Sequence, residues 1–131
     1  MEFKKFLLML TGDTDQTILS AAVQLCKDMD GKLFVLFVIE PNRVSRLASL
    51  THQKVKIVYD KTEENGWQLL YLVEDEAVEN GVWTSLHLEE GSALDITKRY
   101  IDTYQIDALL LKRKDESKRM FVSSTIPVIG L

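Results

Sequence analysis

The amino-acid sequence predicts a three-layer α/β/α domain built on an open five-stranded parallel sheet. Three observations lead there. Apolar runs of strand length recur along the 131 residues without polar alternation, which is how strands buried on both faces read. Segments with apolar residues at helical spacing separate those runs. The resulting β–α alternation calls for right-handed crossovers that place helices on both faces of the sheet. No repeat or low-complexity linker divides the chain, so residues 1–131 are expected to form one domain.

Residues 3–10 read as the first strand, ending in the turn residues Thr11 and Gly12. The run Phe6-Leu7-Leu8-Met9-Leu10 follows Lys4-Lys5, but it is too short for a secretory core of roughly seven to fifteen apolar residues. It is far too short for a membrane span of about twenty. Asp13 then caps a helix, with Gln16 as its capping-box partner. Ile18, Leu19, Ala22, Leu25, Cys26 and Met29 follow at helical spacing until Gly31. Residues 33–39 are the most apolar run of all and form the second strand, which Glu40-Pro41 stops.

Residues 42–80 are harder to divide. Val55, Tyr59, Thr62, Gly66, Leu69, Leu70, Val73 and Ala77 share a helical face, and Asn65-Gly66 is a weak point. Either one interrupted helix or two shorter ones is expected, closed by Gly81. Val82, Thr84, Leu86 and Leu88 alternate with Trp83, Ser85 and His87, the pattern of an edge strand with one wetter face. Gly91-Ser92 opens a helix that turns Ala93, Ile96, Tyr100 and Tyr104 inward. Residues 106–111 form the fourth strand, 121–124 the remnant of a last helix, and 126–131 the terminal strand.

Composition narrows the function classes. Apolar residues make up 46% and charged ones 27%, which is the balance of a folded domain and not of a disordered one. A net charge of −4 argues against a nucleic-acid partner, since phosphate neutralisation needs a basic excess. The single cysteine, Cys26, has no intramolecular partner, which fits a reducing cytoplasm; among helical core positions it reads as an apolar filler. His52 and His87 lack metal-ligand spacing, and His87 is expected on the surface of the edge strand. No Ser/His/Asp or Cys/His set presents itself, so an enzyme is not expected.

Ligands of doubly wound sheets bind beyond the carboxyl ends of strands, where the winding reverses. With the reversal between the first and fourth strands, the crevice is walled by residues 11–15 and 112–114. Its candidate ligand residues are Gly12, Asp13, Val38, Lys112, Arg113 and Lys114. A phosphate cradle there normally uses glycine, because backbone N–H groups close on the anion only where no Cβ intrudes. This chain has six glycines and none between Gly91 and Gly130.

The ordered segments resemble the universal stress protein family over nearly the whole chain. Thr11-Gly12-Asp13-Thr14-Asp15 stands where the family has an Asp-Gly-Ser type turn, and Gly31-Lys32-Leu33 leads to Val38-Ile39-Glu40-Pro41. Glu90-Gly91-Ser92-Ala93 precedes a helix as the family's Gly-x-Pro-x-x-Ile does. Asp107-Ala108-Leu109-Leu110-Leu111 matches its Asp-Leu-Ile-Val-Met, and Ile126-Pro127-Val128 its closing Pro-Val strand. The resemblance implies a strand order of 3-2-1-4-5, as in the adenine nucleotide alpha hydrolase-like folds, and a cytoplasmic stress-response protein. Members that bind ATP carry Gly-x2-Gly-x9-Gly-(Ser/Thr) after the fourth strand. Here Lys112 takes the place of the first of those glycines, which implies the branch that does not bind ATP.

Each candidate has a plainer alternative. Lys112, Arg113, Lys114, Lys118 and Arg119 could grip an anion through side chains, stand solvated as charge runs usually do, or face the acidic run between Asp60 and Glu79. Asp13 and Asp15 could hold a metal or a ribose, and capping the next helix is the simpler role. The terminal strand, with Ile126, Pro127, Val128, Ile129 and Leu131, is an apolar edge that a monomer leaves open. In the family the corresponding strand pairs across a dimer, so a homodimer through it is expected, the plainer alternative being cover by the long second helical region.

Two functions are therefore carried forward. The first is a non-enzymatic, dimeric, universal-stress-like regulatory protein with no cofactor, no nucleic acid and no membrane partner. The second is an adenine-nucleotide binder, or a slow hydrolase, using Asp13, Val38 and the basic loop.

Overall fold

The computed structural model describes residues 3–12, 16–113 and 125–131. The described elements run β1 (Lys5–Leu10), α1 (Thr17–Met29), β2 (Lys32–Ile39), α2 (Pro41–Leu50), α3 (Val55–Glu79), β3 (Thr84–Glu90), α4 (Ala93–Tyr104), β4 (Ala108–Leu111) and β5 (Val128–Gly130). All five strands are parallel and lie in the order β3-β2-β1-β4-β5, as the sequence predicts. The chain winds outward from β1 through β2 to β3, then returns to the other side of β1 for β4 and β5. The winding therefore reverses at β1.

Strand alternation divides the core into two layers. Phe6, Leu8 and Leu10 of β1 with Leu33, Val35, Phe37 and Ile39 of β2 pack beneath α1, α2 and α3. Leu7, Phe34, Leu36, Val38, Leu109 and Leu111 pack on the opposite face, where Ile96, Tyr100 and Ile101 of α4 cover them. β2 is buried on both faces from Leu33 to Ile39, which is why its sequence shows no alternation.

Three expectations change. The first helix starts at Thr17, with Gln16 at its N-cap and no side-chain cap, so Gln16 is not the capping-box partner of Asp13. Its end is formed by Asp30 in the left-handed region (φ 54°); Gly31, one residue later, lies against the ring of Phe6. The third change concerns residues 42–80. Two helices are present, but the break falls between α2 and α3, and α3 continues through Asn65-Gly66 for 25 residues. The continuity has a packing cause. Gly66 is buried against Phe37, and this contact rewards the helical path there more than the glycine penalises it. The expected helix remnant at 121–124 lies outside the described residues.

Candidate functional site

Pro41 both ends β2 and begins α2. It has no N–H for a strand ladder, and its fixed φ suits the first turn of a helix. The chain thus turns sharply at the carboxyl end of the sheet and lays α2 back beside α3. Between them opens a cavity of about 310 Å³. Its floor is the end of the sheet: Gly12 after β1, and Val38, Ile39 and Glu40 closing β2. Arg43, Val44 and Leu47 of α2 form one wall, and Thr62 and Asn65 of α3 form the other.

The lining combines apolar walls with a few polar groups, the usual make-up of a small-molecule site. Thr62 donates its hydroxyl proton to the Val58 carbonyl at 2.8 Å, so its oxygen is left to accept from a ligand. Arg43 lies 3.8 Å from Glu40, with 40% and 33% of the two side chains exposed. A surface pair of this kind contributes roughly 0–1 kcal/mol, so Glu40 itself holds Arg43 only weakly. The end of β3 is tied to this region: Gly91 N–H donates to the Ile39 carbonyl at 3.0 Å, and Tyr59 donates to Glu90 at 3.1 Å. Among the described residues no cluster of three or more His, Cys, Asp or Glu is placed to hold a metal.

The residues expected to wall the crevice separate into groups. Gly12 and Val38 line the cavity. Lys112 and Arg113 follow β4 on the far side of β1 and are not among the described lining residues; Arg113 N–H donates to the Leu131 carbonyl at 3.4 Å. Asp13 and Lys114 lie outside the described residues. The side chains from α2 and α3 were not singled out as site residues from the sequence. Ile126, Val128 and Leu131 are half-buried, Pro127 is exposed, and Ile129 projects from β5 with 37% of its surface exposed. β5 pairs with β4 along one edge and is the last strand on that side.

A second cluster corrects an expectation. His87 is not a surface residue of the edge strand: it is half-buried beneath α4, with ring centroids 5.1 Å from Tyr100, 5.6 Å from Tyr104 and 6.5 Å from Phe34. Its Nε2 lies 2.8 Å from the Ser85 hydroxyl. Burial pushes the imidazole below its ordinary value, and the Glu89 carboxylate only partly opposes that. Glu89 itself is held below the usual carboxylate range by hydrogen bonds from Arg99, 2.6 Å away, and from Tyr100. Burial, then the same carboxylate, raise the Tyr100 phenol. Cys26 is fully buried in the core, and desolvation pushes its thiol up to about 12. Among the described residues no helix is long and apolar enough to cross a membrane.

No protein-family model matches the chain, and no curated protein matches it. Solved structures do. A member of the universal stress protein family from Burkholderia pseudomallei superposes with a TM-score of 0.78 at 16% identity, over 100% of this chain and 98% of that one. The universal stress protein from Archaeoglobus fulgidus in complex with dAMP gives 0.71 at 13% identity, over 99% and 98%. A universal stress protein in complex with cAMP gives 0.67 at 12% identity, over 100% and 98%. Identities this low carry the architecture from end to end and nothing finer: this chain has the universal stress protein fold.

Proposed function

We propose that the chain is a universal-stress-type regulatory protein that binds a small adenine nucleotide, of monophosphate size, without gripping Mg-ATP tightly. The observation that carries this reading is the cavity over the carboxyl ends of β1 and β2. At about 310 Å³ it lies at the small end of the roughly 300–1,000 Å³ range of ligand sites. Val38, Ile39, Val44 and Leu47 suit the flat faces of a base, Thr62 and Asn65 its polar edge or a ribose, and Arg43 a single phosphate. The proteins of the same fold that hold dAMP and cAMP favour this ligand class over others of the same size.

Weak affinity for polyphosphate rests on Lys112, whose side chain stands just beyond β4 where a glycine would leave room for backbone to close on the anion. The role proposed is binding and signalling in the cytoplasm, not turnover. We also propose a homodimer through the edge of β5.

Thermal unfolding with AMP, dAMP, cAMP and Mg-ATP tests the reading. A ligand at a hundred times its Kd stabilises the fold by about 2.7 kcal/mol, a shift of several degrees. The mononucleotides are expected to produce it and Mg-ATP to produce less. No shift with any of the four at millimolar concentration overturns the reading. Lys112→Gly is expected to raise affinity for Mg-ATP.

A further inference from the structure

Three exposed large side chains of α3, Trp67, Tyr71 and Val78, fall on one line, while Val55 and Leu72 are exposed elsewhere on the helix. Buried residues Val58, Gly66, Leu70, Val73 and Ala77 define its inner face. Away from it, Asp60, Glu64, Trp67, Tyr71, Asp75 and Val78 recur at steps of three and four, so they stack along a single outer flank. Trp67, Tyr71 and Val78 expose 36%, 53% and 71% of their surface. The Trp67 and Tyr71 rings stack on each other, centroids 5.7 Å apart and planes 28° from parallel. Two stacked rings in water are costly surface, and nothing in the core requires them there.

The charge beside the rings is mainly negative, with Lys56 and Lys61 the cations of α3, both toward its N-terminal end. Glu63 and Glu74 border the line, and none of these carboxylates is ion-paired with a described residue. Asp60 and Glu64 stand four residues apart, a spacing at which like charges repel on a helix. The flank thus presents aromatic faces inside a negative field. Such a surface repels nucleic acid and anionic lipid, and it suits a cation that can lie over a ring while pairing with a carboxylate.

We propose that this flank of α3 is a docking surface for a Lys/Arg-rich segment of a partner protein, with Trp67 and Tyr71 as its centre. Guanidinium or ammonium groups lie over the two rings, apolar side chains of the segment cover Tyr71 and Val78, and Glu64 and Asp75 fix the register. The surface is separate from the cavity, so it is independent of the nucleotide reading.

The test uses the full chain with Trp83→Phe, so that Trp67 is the sole tryptophan, titrated with a labelled peptide of alternating Arg and Leu. Saturable micromolar binding that perturbs Trp67 emission is expected. Glu64→Gln with Asp75→Asn should weaken it tenfold or more and flatten its salt dependence. Tyr71→Ser, with all carboxylates kept, should weaken it at least fivefold, and this exposed position is not needed for folding. Binding unaffected by Tyr71→Ser shows only diffuse charge attraction and overturns the proposal, as does absence of binding at 100 μM peptide (on the order of a Kd worth −5.5 kcal/mol). A concentration-dependent increase in mass that Tyr71→Ser abolishes without peptide assigns the flank to a second copy and also overturns it.

Discussion

Gly66 lies against Phe37 so closely that an added Cβ would sit 2.6 Å from Cδ1 and 2.7 Å from Cε1 of the ring. The contact sets the spacing between α3 and β2, and with it the width of the cavity that Thr62 and Asn65 line. Phe37 is fully buried, so its ring can give way only by displacing other core side chains. Gly66→Ala gains about 1 kcal/mol in helix propensity but incurs an overpacking cost of roughly 1–3 kcal/mol. A net loss on the order of 1 kcal/mol is expected, read as a lower urea midpoint with unchanged slope.

Arg43 is the cavity's one cationic side chain among the described lining residues. Arg43→Ala is expected to weaken AMP binding about tenfold, the worth of a charge-assisted hydrogen bond of roughly 1.5 kcal/mol. Adenosine, which lacks the phosphate, should bind both proteins equally in calorimetry. Equal loss for both ligands would place Arg43 in shaping the cavity and not in holding an anion.

His87 makes stability depend on pH in a defined direction. Its folded pKa lies below the ordinary 6.5, so the unfolded chain takes up a proton first as pH falls. The contribution is complete above 6.5 and is lost as pH drops through the window beneath it. Glu89, also lowered, adds a loss of the same sign, but only at more acid pH, below the usual carboxylate value. His87→Phe keeps an aromatic ring beside Tyr100 and removes the titration. Urea midpoints between pH 7 and 5 (about the range in which histidine titrates) should slope for the parent protein and lie flatter for the variant.

Ile129 offers the simplest test of self-association. It projects from the outer strand, and Ile129→Lys places a charge where a partner strand would lie. Sedimentation at micromolar concentration is expected to give a dimer for the parent chain and a monomer for the variant. A parent that is already monomeric excludes pairing through β5.

The strands themselves were legible because each buried strand announces itself without reference to its neighbours, whereas their order came from the family resemblance. Residues 33–39 are apolar at every position because they face two helical layers, as a strand buried on both faces does. The site was less legible. α2 buries only Val44 and Ala48, too few to show a period within ten residues, so its wall of the cavity went unseen. Asn65-Gly66 looked like a break because propensity is local, whereas the Phe37 contact that keeps the helix whole comes from a distant strand. His87 was misplaced for a related reason. Alternation reveals which residues share a face, but not that α4 covers the face carrying Ser85 and His87. The inward Tyr100 and Tyr104 held that information, since two tyrosines on one helical face need a sheet surface to rest on.

The central position of β1 has a consequence for synthesis. Phe6 is in register with Leu33 on one side and with Ala108 on the other, and the Lys5 amide is held by Asp107, 102 residues later. A nascent chain therefore leaves the ribosome with its most apolar ladder open along one edge until residues 108–111 have emerged as well. Closing such a distant pairing is slow, and the exposed edge is sticky meanwhile. Newly made copies of this protein should thus depend on chaperones more than the size of the finished domain suggests.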